Sequence, residues 1–332
     1  MHNEAISAGA RTAWLFAALS VLSVLKLAGL GWLYVLLGAA GAAAFFCLLG
    51  LLEQKAPEPL GVLAEQAFGA RAGGALLLLA GIWTVLVLSS TLRSAATAFP
   101  DDAVGPLPVI VAAALTAIAC GRGLRACSAA AGVLALILAL LYGTIALACL
   151  DELEPAWCAV WGGWRQAGRA FSYLLLPSCM LFLPRRQDAC RVRPALALLA
   201  SLPAAPAFLC AACLSRGLSS MLAFPFYTLT KSLSLLSVME RFEPLLSGAL
   251  LMGFVSLSML LAQTAGAIFA GLLRKAQSRS ASLGACAAGF ALSWCIGRLP
   301  QQFWIWGATI FWGVFPVVTL LIVALKKAAK KP

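Results

Sequence analysis

Histidine is nearly missing from this chain: His2 is the only one in 332 residues. That excludes a metal centre built on histidines and a hydrolytic triad with an imidazole base. Acids are scarce as well, 12 Asp and Glu against 24 Lys and Arg. They fall in loops or at the ends of apolar runs, so no pair of carboxylates sits inside the membrane to share protons. There is no HExxH motif, and a serine nucleophile would lack an evident base. The sequence therefore reads as a non-enzyme, and it calls for no metal and no cofactor. Charged residues reach only 11%, where soluble domains carry about 25%.

Apolar residues take the vacated share, 62% of the chain with a mean hydropathy of +0.96. Repeated runs of about 20 such residues are the mark of a polytopic helical membrane protein. Ten spans are expected, over residues 8–25, 31–52, 73–98, 105–121, 127–150, 167–184, 194–215, 245–272, 281–297 and 303–325. The net charge of +12 would suggest nucleic acid in a soluble chain. Here the cations lie in short loops and in a basic tail, 326–332, so they are read as topology signals and as partners for anionic lipid, with no nucleic acid. Two thirds of the Lys and Arg fall on the side holding Arg11 and the tail, which predicts that both termini are cytoplasmic.

The eleven cysteines are an odd number scattered mostly through the spans. Cys210 and Cys213 have redox-like spacing without a thioredoxin-like context, and all are read as small hydrophobic side chains. Asp151, Glu152 and Glu154 precede Trp157, Trp161 and Trp164, a spacing that predicts one tryptophan-lined helix face at headgroup level.

Two spans are interrupted or short. The sixth contains Pro177, which supplies no amide proton and disturbs the turn before it. The first ends early, at Lys26. Such segments heading two halves of a chain point to a transporter built from inverted repeats. The expected fold is thus an all-α polytopic membrane protein, a single domain over 1–332. Its five-helix halves would be 1–150 and 151–325, with the substrate site near the midplane. Residues 224–244 stand apart as a long amphipathic run. On a helix, Leu229, Leu233, Leu236 and Met239 share a stripe, and Thr230, Ser234, Ser237 and Arg241 lie on another face. By topology this run falls outside, between spans seven and eight, where it would serve as a lid.

By position, the ligand-binding candidates are Ser20, Ser23, Ser89, Ser90, Tyr173, Pro177, Ser178, Ser256 and Gln263. Thr91, Cys179, Ser258 and Thr264 lie in the same stretches. Hydroxyls of this kind also serve by bonding backbone carbonyls within membrane helices. Gln263 stands out because a buried amide needs a partner. Lys26 is a candidate for coupling, since its ammonium can substitute for a coupling cation, or it snorkels to the headgroups as Arg93 is expected to do. Glu240, Arg241 and Glu243 cluster before Pro244 and are the gating candidates.

The stretch Phe224-Pro225, an amphipathic run, then Glu240-Arg241-Phe242-Glu243-Pro244 resembles the B-subunit family of spore germinant receptors. Trp32 opening span two, Phe68-Gly69-Ala70-Arg71-Ala72-Gly73 before span three, and Leu183-Pro184 closing span six agree in order. The resemblance implies an amino acid–polyamine–organocation superfamily fold, a LeuT-like five-plus-five bundle. It implies sensing of a small germinant, an amino acid above all, to trigger spore germination at the inner membrane. It also implies two partners, a companion membrane A-type subunit and a lipoprotein C-type subunit. Span one departs from the family, with no glycine from Ser20 through Lys26 and none until Gly29. A proton- or cation-coupled amino acid permease using the same pocket is the competing reading.

Overall fold

The computed structural model describes residues 6–56, 58–98, 105–154, 157, 160–184, 202–222, 224–232, 243–273, 279–296 and 299–329. Within them the chain is almost entirely helical. The long helices are α1 (Ala8–Leu22), α2 (Trp32–Lys55), α4 (Ala70–Ser94), α5 (Leu107–Gly121) and α6 (Leu124–Cys149), with the short α3 (Leu60–Phe68) between α2 and α4. The second half holds α7 (Trp164–Leu174), α8 (Ala204–Met221), α9 (Pro225–Ser232), α10 (Glu243–Leu272), α11 (Arg279–Cys295), α12 (Gln301–Gly307) and α13 (Phe315–Ala329).

Among the described residues, six helical stretches are long and apolar enough to cross a bilayer: Gly9–Leu27, Trp32–Lys55, Ala70–Ser94, Leu124–Cys149, Leu245–Leu272 and Gln301–Ala329. The other four expected spans correspond to shorter or broken helices. α5 has 15 residues and α11 has 17. The sixth is α7 followed by a 3₁₀ stretch, Leu176–Phe182. For the seventh, only α8 lies among the described residues, and its helical path is interrupted at Ser215, φ 66°.

Each break has a local cause. Pro177 has no N–H and its ring crowds the preceding turn, so α7 ends at Leu174 and the chain tightens into 3₁₀ geometry. Pro316 follows the π-helical stretch Ala308–Val314, where the carbonyl one turn before it lacks its amide partner. The first span does not unwind at a glycine. It passes into a π-helical turn, Ser23–Leu27, before Gly29 and Gly31 end it. Tyr142 of α6 donates its hydroxyl to the Ser20 carbonyl at 3.1 Å, holding that carbonyl beside the turn.

α4, α5, α10 and α11 pack on one another as a four-helix scaffold. α1 lies against α6 and α10, and α2 pairs with α7 and α8. Close approach depends on small residues. A Cβ on Gly38 would stand 2.6 Å from the Ala167 carbonyl oxygen of α7, and one on Gly73 would stand 2.7 Å from that of Ala64 in α3. These are the small-residue contacts through which membrane helices pack. Trp14, fully buried in α1, donates its indole N–H to the Ser256 carbonyl of α10 at 2.8 Å. Outward faces carry exposed Leu48, Leu79, Ile118, Leu136 and Leu140, as a lipid-facing surface requires.

The beginning of α1 and the end of α13 meet at one end of the bundle. Arg11 pairs with Glu53 at 3.9 Å, and Ile6 donates its amide to the Pro184 carbonyl at 3.2 Å. Lys326 donates to the Gln66 and Ala67 carbonyls at 2.9 Å each, and Lys327 reaches the Lys55 carbonyl at 3.5 Å. These tail lysines thus satisfy the exposed carbonyl ends of α3 and α2, where the helix dipole favours a cation.

The tryptophan face is corrected. Gly162, at φ +112°, and Gly163 break the run, so the three indoles share no helix. Trp161 turns inward and its carbonyl lies against Gly31, while Trp164 is 76% exposed. The outer run is described as α9 over Pro225–Ser232; residues 233–242, and with them Glu240 and Arg241, lie outside the described residues. Leu229 is buried as its stripe predicts. Thr230 is buried too, against expectation, because it bonds the Tyr227 carbonyl at 2.8 Å and so needs no water.

Candidate functional site

A narrow cleft of about 40 Å³ lies where α1, α4, α7, α10 and the start of α12 approach one another. Its polar lining is Lys26, Ser90, Thr91, Ser94 and Tyr173, with Trp304 beside them. Apolar walls come from Val21, Leu22, Leu25, Phe254, Leu257 and Leu299. No acid occurs in this lining among the described residues.

The interrupted helices set this arrangement. A π turn accommodates one extra residue, so side chains beyond it rotate by roughly 100° against a continuous helix. Lys26 sits on that turn and is exposed at the cleft. Tyr173 comes from the last turn of α7, just before the chain tightens at Pro177. Ser90 and Ser94 are one helical turn apart on α4 and share a face. The Ser94 hydroxyl donates to the Ser90 carbonyl at 2.8 Å, and Ser90 Oγ accepts the Leu299 amide at 3.3 Å. Thr91 donates to the Val87 carbonyl at 2.8 Å. With its proton spent on the protein's own carbonyl, the Thr91 oxygen remains as an acceptor.

Trp304 belongs to an aromatic cluster with Tyr173 (5.3 Å between centroids), Trp312 (5.8 Å) and Trp83 (6.3 Å). It is 7% exposed, and its indole N–H has no hydrogen-bond partner among the described residues. Such a donor costs free energy until something accepts from it.

The sequence candidates separate into groups. Lys26, Ser90 and Tyr173 meet in the cleft. Ser20, Ser23 and Ser89 are buried and donate within their own helices, to Phe16, Ser20 and Leu86 at 2.8, 2.9 and 2.7 Å. Gln263 serves the scaffold, donating to Cys127 Sγ at 3.3 Å and accepting from Ser282 Oγ at 3.1 Å. Pro177 is buried at the break of α7. Ser178 and Ser256, with Ser258, are buried hydroxyls without a hydrogen-bond partner among the described residues. Glu243 opens α10, while Glu240 and Arg241 lie outside the described residues. Ser94 and Trp304 were not expected. Ser94 follows Ser90 by four, a signal the sequence offered; Trp304 reaches the cleft through tertiary packing alone.

The helix α9 touches the same region. Phe226 of α9 packs on Tyr142 at 5.9 Å between centroids, and Tyr142 holds the Ser20 carbonyl. A Cβ on Gly29, just past the π turn, would meet Pro225 at 3.5 Å and the Ser219 carbonyl at 3.3 Å. α9 therefore lies against the chain just past the turn that carries Lys26, and through Tyr142 it adjoins the carbonyl before that turn. No cluster of three or more metal-ligating His, Cys, Asp or Glu occurs among the described residues.

No protein-family model matches this sequence, and no curated protein matches it. Solved structures do. One is the substrate-bound, outward-open state of a Na⁺-coupled sialic acid symporter, 15% identical, with a TM-score of 0.50 over 98% of this chain and 74% of that one. At that identity the likeness shows the fold, that of an integral membrane protein of the transporter type.

Proposed function

We propose that this chain is a permease-like membrane protein that binds a small carboxylate-bearing solute, an amino acid foremost, at the Lys26 cleft, which widens to admit it. The observation that carries the proposal is the cleft's lining. It brings together the Lys26 ammonium, the phenol of Tyr173 and an indole N–H of Trp304 that has no hydrogen-bond partner among the described residues. Donors of this kind suit an anionic group, and the Thr91 oxygen suits an ammonium. The architecture we assign is the LeuT-like five-plus-five bundle. Its support is internal: α4 packs on α11 as α10 packs on α5, pairs exchanged by shifting each span by five. In this reading both termini are cytoplasmic, consistent with their meeting at one end of the bundle and with the basic loops on that side.

The resemblance at 224–244 supports a finer assignment, the permease-like subunit of a nutrient germinant receptor working with an A-type membrane subunit and a lipoprotein C-type subunit. A cation-coupled permease is the second reading. It is favoured by the buried hydroxyls of Ser178, Ser256 and Ser258, hard oxygen donors of the kind such cations take.

The test is reconstitution into liposomes with a panel of labelled amino acids, measuring binding and uptake separately. Lys26→Met should weaken binding by about 10- to 100-fold, the worth of a charge-assisted hydrogen bond. Unchanged affinity in a folded Lys26→Met protein refutes the site. Gradient-dependent uptake selects the permease; saturable binding without uptake selects the receptor subunit.

A further inference from the structure

The cysteines were expected to be inert filler, yet two of them meet across helices. Cys149 is the last residue of α6 and Cys213 lies in α8. Cys213 Sγ lies 4.0 Å from the Cys149 carbonyl oxygen, so the thiol of one cysteine meets the backbone of the other across the two helices. Their backbones are also tied: the Glu154 amide, just past α6, donates to the Ala212 carbonyl at 3.2 Å, one residue from Cys213. Cys149 is buried and Cys213 half-buried, so an external reagent meets Cys213 first.

A second thiol contact, Cys120 with Cys127, lies at the opposite end of α6. There Gln263 donates to Cys127, and both cysteines are buried. The two contacts thus occupy opposite ends of one helix. In the orientation proposed above, only the Cys149–Cys213 contact faces the outer, oxidising side.

We infer that Cys149 and Cys213 form a redox-active dithiol, a modification site for small disulfide oxidants that crosslinks α6 to α8. The Cys213 thiolate attacks one sulfur of the oxidant's disulfide, forming a mixed disulfide and releasing one thiol. The Cys149 thiolate then attacks the Cys213 sulfur and releases the second. Two electrons pass to the oxidant, and the two protons end on the thiols released. The crosslink falls two residues before Ser215, whose φ of 66° marks the break beyond which the chain leads to α9. Oxidation therefore fixes the point from which the outer helix is suspended.

The experiment uses the full chain in detergent, where orientation in a membrane plays no part, so it stands independently of the function proposed above. The protein is incubated with oxidised glutathione, alkylated, digested without reductant and analysed by mass spectrometry. The expected result is a peptide pair joining Cys149 to Cys213, with the loss of two alkylatable thiols, reversed by dithiothreitol. Cys149→Ser and Cys213→Ser should each abolish the pair, and Cys210→Ser should retain it. Wild-type protein that remains monodisperse yet forms no such pair overturns the inference. A crosslink from Cys149 to Cys210 in place of Cys213 overturns it equally.

Discussion

Two glycines on α2, one turn apart, give a stringent test of the packing between α2 and α7. A Cβ on Gly38 would lie 2.6 Å from the Ala167 carbonyl oxygen, 2.8 Å from the Ala170 Cβ and 3.0 Å from the Phe171 amide nitrogen. Two of these atoms are backbone, and none belongs to a side chain able to rotate away. To bring the closest contact to an ordinary 3.4 Å, the helices must separate by roughly 0.8 Å, an overpacking that costs about 1–3 kcal/mol. On Gly41 the nearest atom would be a Phe171 ring carbon at 3.5 Å, an ordinary contact. There the removal of a helix-interior glycine dominates and should stabilise by about 0.5–1 kcal/mol. Gly38→Ala should therefore lower the midpoint of thermal unfolding in detergent by several degrees, and Gly41→Ala should leave it unchanged or raise it. Since α7 leads into the Pro177 break and carries Tyr173, Gly38→Ala should also weaken solute binding from outside the cleft. Equal midpoints for the two variants would refute the close approach of α2 and α7.

Other outcomes follow from single contacts. Trp304→Phe keeps an aromatic ring but removes the indole N–H and part of the ring's volume; in the empty protein the lost packing is offset in part because that donor has no partner among the described residues, so stability should fall by no more than about 1–2 kcal/mol. Solute affinity should nonetheless fall about 3- to 10-fold by equilibrium binding, and an unchanged Kd would remove Trp304 from the site. Tyr142→Phe releases the Ser20 carbonyl at a cost of about 1 kcal/mol, and faster amide exchange around the π turn Ser23–Leu27, read by mass spectrometry, is the check. Arg11→Met leaves Glu53, 2% exposed, without the cation 3.9 Å away, and should cost about 3 kcal/mol. Adding Glu53→Gln should recover most of that loss in the unfolding midpoint; a double variant no better than the single one would show the pair to be uncoupled.

What the residues made legible, and what they did not, divides by the range of the interaction that decides each feature. The break of α7 follows from Pro177 alone, because a missing amide proton acts wherever it is placed. The nine residues of α3 fall between two expected spans, although Leu60, Leu63, Ala64 and Ala67 recur at helical spacing and are the residues buried. Attention to long apolar runs hid a short amphipathic helix. The tryptophan face failed for the converse reason: i, i+4, i+7 spacing was counted across Gly162-Gly163, a pair that permits the chain to leave the helix.

The π turn was beyond local reading. Residues 20–27 contain neither Pro nor Gly, and the Ser20 carbonyl is held by Tyr142, over a hundred positions away. That turn decides which way Lys26 faces, so the same lysine read from sequence was balanced between headgroups and interior. Ser90 was legible as a hydroxyl in a span, and its partner Ser94 was available at one helical turn. Their task was not, since the Leu299 amide and the Trp304 indole arrive from the far end of the chain. A cleft assembled from interrupted helices is therefore foreshadowed by the residues that interrupt them, while its chemistry is fixed by which distant side chains the interruptions turn inward. Lys26 is the residue in which both statements meet: local sequence supplies its charge, and a tertiary hydrogen bond at Ser20 supports the turn that directs it.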